Sequence, residues 1–149
     1  MKTRILVVED NPGDVALLRW ALEAANIDFE LTVIEDGGEA LMLAQQRGKY
    51  AGAEAPDLAI LDLNLPRNDG IEVLQAMRAS RLFADVTVAI LSSSTSPRER
   101  ERLDEFGIDR YIAKPADLAE FRQIGYAVRD LIEESRLRPS TAPSCNPSG

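Results

Sequence analysis

Apolar residues along this chain alternate between two rhythms. Arg4-Ile5-Leu6-Val7-Val8, Phe29 to Ile34, Leu58-Ala59-Ile60-Leu61-Asp62, Val86 to Leu91 and Arg110-Tyr111-Ile112-Ala113 are short, nearly continuous apolar runs. They are too short for buried helices and suit strands covered on both faces. Between them the apolar positions recur at helical spacing. Pro12-Gly13-Asp14 opens a helix to Ala25 whose stripe is Val15, Leu18, Leu22 and Ala25, and Glu39 to Arg47 predicts a second, closed by Gly48. A third follows Gly70 with Ile71, Leu74 and Met77 inward, and a fourth starts at Pro97 with Leu103 and Phe106 inward and Gly107 as its stop. A last helix from Ala116 to Glu134 lines up Leu118, Phe121, Gly125, Val128 and Ile132. Five strands alternating with five helices predict an α/β fold, a doubly wound parallel sheet with flavodoxin-like order 2-1-3-4-5. Leu17, Trp20 and Ala24 lie off the first helix's stripe, either under a neighbouring loop or as a docking face.

The expected domain spans 1–136, and the Pro/Ser-rich segment 137–149 reads as a disordered tail. No attached output domain is expected, since a folded domain needs at least about 40 residues and far fewer follow the last helix. With 45% hydrophobic and 28% charged residues, and no stretch long enough to span a bilayer, a cytoplasmic protein without membrane contact is expected. Ile5-Leu6-Val7-Val8 runs straight into Glu9-Asp10, too short for a signal peptide. A net charge of −8 argues against direct nucleic-acid binding. Cys145 is the single cysteine and can form no internal disulfide. Histidine is absent, which excludes an imidazole base, a histidine-ligated metal and a phosphohistidine on this chain. Chemistry must therefore use carboxylates, hydroxyls, lysine and a hard cation.

Under the expected strand order, Glu9-Asp10, Asp62, Ser92 and Lys114 each follow or end a strand on one sheet edge, where α/β folds place their sites. Three carboxylates at one edge favour proton uptake or cation capture. Magnesium suits them, because it takes oxygen ligands and prefers one or two carboxylates plus a phosphate oxygen. Asp62 could then attack phosphorus to form an acyl phosphate, with Lys114 and the Ser92 hydroxyl sharing the charge on the transferred group. Each residue alone could be a turn acid, a polar loop or an ordinary strand exit. The order Glu-Asp, Asp, Ser, Lys-Pro at four strand ends favours the joint reading.

At Val8-Glu9-Asp10-Asn11, Leu61-Asp62-Leu63-Asn64-Leu65-Pro66 with Asp69-Gly70, Leu91-Ser92-Ser93 and Tyr111-Ile112-Ala113-Lys114-Pro115, the sequence resembles the receiver domains of two-component response regulators. The resemblance implies that Asp62 accepts a phosphoryl group from a sensor histidine kinase. Magnesium would be held by Glu9, Asp10, Asp62 and the Asn64 main-chain carbonyl. It implies a switch in which Ser92 closes on the phosphate and Tyr111 turns inward to repack the face of the fourth helix, fifth strand and fifth helix. It also implies a cis Lys114-Pro115 bond. Ser92 stands where many receivers carry Thr, and Asn64 and Ser94 are expected to tune the phosphoryl lifetime. Loop style, with the long connection before Asp57 and the Ser-rich loop, is similar to single-domain regulators that partner bacterial phytochromes.

Output is expected to be association: relay to a phosphotransfer protein, docking to a downstream target, or a homodimer through the switch face. The chain would be a phosphoryl acceptor with slow self-hydrolysis rather than a turnover enzyme. Alternatives are a pseudo-receiver that signals by contact alone, a flavodoxin-type cofactor binder using Ser92 to Ser96, and an aspartate phosphatase. The last usually needs a second acid where Asn64 stands, and no glycine pattern for a nucleotide loop is present.

Overall fold

The computed structural model describes residues 2–63, 70–92, 97–115 and 117–137. Its strands are β1 (Thr3–Val8), β2 (Phe29–Ile34), β3 (Leu58–Asp62), β4 (Thr87–Ser92) and β5 (Arg110–Ala113). The helices are α1 (Pro12–Ala24), α2 (Gly37–Ala44), α3 (Gly70–Ala79), α4 (Pro97–Asp104) and α5 (Leu118–Leu137). All strands pair in parallel, in the flavodoxin-like order β2-β1-β3-β4-β5 expected for a doubly wound sheet.

The apolar runs lack a polar alternation because both sheet faces are covered. Leu6, Val8, Ala59, Leu61, Val88 and Ile90 face α2, α3 and α4, while Ile5, Val7, Leu58, Ile60, Ala89 and Leu91 face α1 and α5. Neighbours in sequence thus enter opposite cores. α1 and α5 cross closely at Gly125, where a Cβ would lie 2.1 Å from the Ala21 carbonyl oxygen. Among the described side chains of α4 only Leu103 is buried, worth about 2 kcal/mol. Much of the fixing near this helix comes from Arg78 at the end of α3. Its guanidinium donates to the carbonyls of Ala84 and Val86 at 2.9 Å, Phe106 at 2.8 Å and Gly107 at 3.1 Å. These bonds tie the approaches to β4 and β5 together.

Local chemistry moves some boundaries. The Asp36 side chain accepts from the Gly38 N–H at 2.8 Å and starts α2 at Gly37, ahead of the expected Glu39. That helix ends at Ala44, with Gln46 at φ 55, so Gly48 opens a short 3-10 turn instead of closing α2. Leu118 is 56% exposed rather than inward, and Ile124 and Leu131 fill the core in its place. The first residue of α5 stands before the helix has come over the sheet. Leu17 packs on the α1/α5 core, whereas Trp20 is exposed. Among the described residues no helix is long and apolar enough to cross a membrane.

Candidate functional site

Strand register brings the predicted residues to one rim. Val8 pairs with Leu61, so Glu9 and Asp62 come level on neighbouring strands, and Asp62 pairs with Leu91, which puts Ser92 one step beyond it. Ser92 pairs with Ala113, and its carbonyl accepts the Lys114 N–H at 2.7 Å. One carboxylate oxygen from each of Glu9, Asp10 and Asp62 lies within 4.8 Å of the others. Glu9 and Asp62 are only 3% and 2% exposed, while Asp10 opens to solvent.

Lys114 closes this cup. Its Nζ lies 2.9 Å from Glu9 Oε1, 2.8 Å from Asp14 Oδ2 and 3.0 Å from Asp62 Oδ2. Burial alone would lower the ammonium's pKa, but the pairs with Asp14, Glu9 and Asp62 outweigh it and hold it above the usual lysine value. One ammonium cannot neutralise four neighbouring carboxylates. The excess falls on Glu9, whose pKa is pushed up to about 7 by burial and by the Asp62 carboxyl, against the pull of Lys114.

The loops hold these groups in place. Glu9 Oε2 accepts the Asn11 N–H at 3.2 Å, and Asn11 Oδ1 caps α1 through the N–H groups of Gly13 at 2.8 Å and Asp14 at 3.3 Å. Gly70 starts α3 directly against the strand end that carries Asp62. A Cβ there would sit 2.7 Å from the Asp62 carbonyl oxygen and 2.8 Å from Leu63 Cα, so only glycine permits this approach.

Of the predicted site residues, Glu9, Asp10, Asp62 and Lys114 meet in one cup. Ser92 is fully buried at the end of β4, on the face that carries Val88 and Ile90. Tyr111 lies farther from the rim, in register with Ile90, half-buried and with the Arg100 guanidinium 5.0 Å above its ring. Pro115 is half-buried, and its bond to Lys114 is trans, correcting the expected cis isomer. Trans is what an X–Pro bond adopts unless its surroundings impose the other isomer. Asn64 and Ser94 lie outside the described residues.

The sequence reading missed Asp14. Its signal was available: Asp14 stands four residues before Leu18 and so continues the buried stripe of α1 by one turn, over the strand ends.

A divalent cation fits these residues. The donors are all carboxylate oxygens, the class that a hard cation takes. Buried Glu9 Oε1 also has no hydrogen-bond partner, although its charge faces Nζ at 2.9 Å off the hydrogen-bonding direction. A cation must displace the Glu9 proton, which gives a signed pH dependence. Below about 7 the affinity for a divalent cation should fall about tenfold per pH unit, and above it level off. Without metal the sign for stability is opposite: the folded pKa of Glu9 is raised from 4.5 to about 7, so its contribution weakens as pH rises through that window. Calorimetric magnesium titrations at about pH 6 and about pH 8 check the first, with Glu9→Gln expected to flatten the dependence.

Residues 5–125 match the family described as response regulator receiver domain. The chain is 34% identical over 136 residues to "Response regulator Rcp1" of Synechocystis sp., covering 91% of this chain and 92% of that protein. The manganese-bound structure of Rcp1 superposes with a TM-score of 0.77 at 31% identity, over 95% of this chain and 99% of that one. The phosphorylated cyanobacterial phytochrome response regulator RcpA gives a TM-score of 0.83 at 33% identity, over 94% and 100% of the two chains. The bacteriophytochrome response regulator AtBRR gives 0.69 at 36% identity, over 88% and 93%.

Proposed function

Because the chain belongs to the response regulator receiver family, we propose that it is a single-domain regulator whose Asp62 accepts a phosphoryl group from a histidine of a sensor kinase. The observation that carries this reading is the ammonium of Lys114 joined to buried Asp62 beside a three-carboxylate cluster. The phosphorylated and metal-bound states named for RcpA and Rcp1 support it.

An Asp62 oxygen attacks phosphorus as the bond to the donor's imidazole nitrogen breaks, and the electron pair of that bond stays on the imidazole. Lys114, held at the Asp62 carboxylate by its ion pair, offsets the negative charge of the transferred oxygens. The Ser92 hydroxyl, at the neighbouring strand end, donates to one of them once it turns toward the rim. Magnesium, held by Glu9, Asp10, Asp62 and the Asn64 carbonyl, supplies charge neutralisation at phosphorus when bound. Tyr111 and the α4-β5-α5 face carry the response outward to a phosphotransfer protein, a downstream target or a second copy.

The relatives named for phytochrome pathways point to a kinase of that class, a bacteriophytochrome. Transfer from a panel of radiolabelled sensor kinases tests the reading: one kinase should pass its label to this chain far faster than the rest, and transfer from none would overturn it. For output, light scattering should show a monomer becoming a dimer when the phosphoryl mimic beryllofluoride is added with magnesium. A monomer with and without the mimic would remove the dimer.

A further inference from the structure

Lys114 has three N–H donors, and in this structure three carboxylates surround them. Two of these, Glu9 and Asp62, belong to the cluster that suits a cation, and the third, Asp14, does not. Asp14 approaches from another element, the first turn of α1, where the Asn11 cap fixes it. Its bond to Nζ is 2.8 Å, the shortest of the three, and its side chain is only 26% exposed.

We infer that Asp14 competes with the incoming phosphoryl group for Lys114, and so sets how readily Asp62 accepts and keeps that group. This rests on the proposed role of Asp62 and adds a positioning residue that acts through Lys114. When the Asp62 oxygen bonds to phosphorus, Asp62 loses its carboxylate charge and the phosphoryl oxygens carry charge outward instead. A bound cation draws on Glu9. Asp14 alone keeps its full claim on the ammonium, and it pulls toward α1 rather than toward the phosphoryl group. Asp14 therefore weakens the phosphorylated state, which makes the signal easier to reverse.

The test measures beryllofluoride affinity in saturating magnesium for the full chain and its variants. Asp14→Asn should bind the mimic about tenfold more tightly than wild type, and Asp14→Glu, which restores a carboxylate, should return the affinity close to wild type. The gain must persist in about 1 M salt, where fields beyond about 3 Å are screened but a direct pair is not. It must also vanish when Asp14→Asn is combined with Lys114→Met. An unchanged affinity in Asp14→Asn, a gain abolished by salt, or the same gain without Lys114 would each overturn the inference. If Lys114→Met does not bind the mimic, the salt series decides. If wild type itself does not bind beryllofluoride, the proposed role of Asp62 fails and takes this inference with it, a result distinct from a bound mimic indifferent to Asp14.

Discussion

Asp62→Asn should take up no phosphoryl label from a small phosphodonor with magnesium, whereas the wild-type chain should form an adduct that alkali removes. An acyl phosphate needs a carboxylate oxygen, and an amide of the same shape supplies none, so the loss is on the order of a hundredfold or more. The substitution should not unfold the protein. Asp62 sits in a cup where one ammonium faces several carboxylates, and the Asp62 carboxyl helps to push Glu9 up to about 7. Removing its charge relieves repulsion, and the Glu9 pKa should fall. Labelling read with a thermal melt separates the outcomes: lost label with an intact melt identifies the acceptor, and retained label moves it elsewhere.

Gly125→Ala should destabilise the fold, although helix propensity alone predicts a gain. Alanine improves a helix interior by about 1 kcal/mol over glycine. Here its Cβ would stand 2.1 Å from the Ala21 carbonyl oxygen and 3.3 Å from Ala25 Cβ, with backbone rather than a flexible side chain in the way. Moving α5 off α1 disturbs the core made by Leu18, Leu22, Ile124 and Val128. Overpacking of this kind costs typically about 1–3 kcal/mol; with backbone in the way the cost lies at the upper end, so after the propensity gain the net loss should be up to about 2 kcal/mol for Ala and greater for Val. Urea denaturation checks it. Gly52→Ala, which meets nothing within 4 Å, serves as the control and should leave the midpoint nearly unchanged.

The strands were legible because burial on both faces leaves a signal that survives without context: Ile5 to Val8 and Leu58 to Leu61 could hardly be solvated loops. Alternation of strands and helices called for a doubly wound parallel sheet, and the flavodoxin-like order expected of it assembled Glu9, Asp10, Asp62 and Lys114 without any distance being known. What escaped was decided by side chains reaching backbone, or by crossings between helices. The Asp36 cap set the start of α2 against the periodicity, and Leu118 matched the α5 stripe before that helix had reached the core. Asp14 looked like a helix-start acid, and only the position of Lys114 beyond β5 shows what it faces. Arg78 reads as a charged position on a helix, yet it binds five carbonyls of two loops. Gly125 reads as a weak helix residue, and its reason lies in α1.

Whether these strand ends form one cup that binds a cation and presents Asp62 to phosphorus is decided by a crystal structure grown with magnesium and beryllofluoride. The expected result is a tetrahedral group on the Asp62 carboxylate, beside an ion that touches Glu9 or Asp10 and Asp62. An ion bound elsewhere, or a bare Asp62 at saturating beryllofluoride, would contradict it.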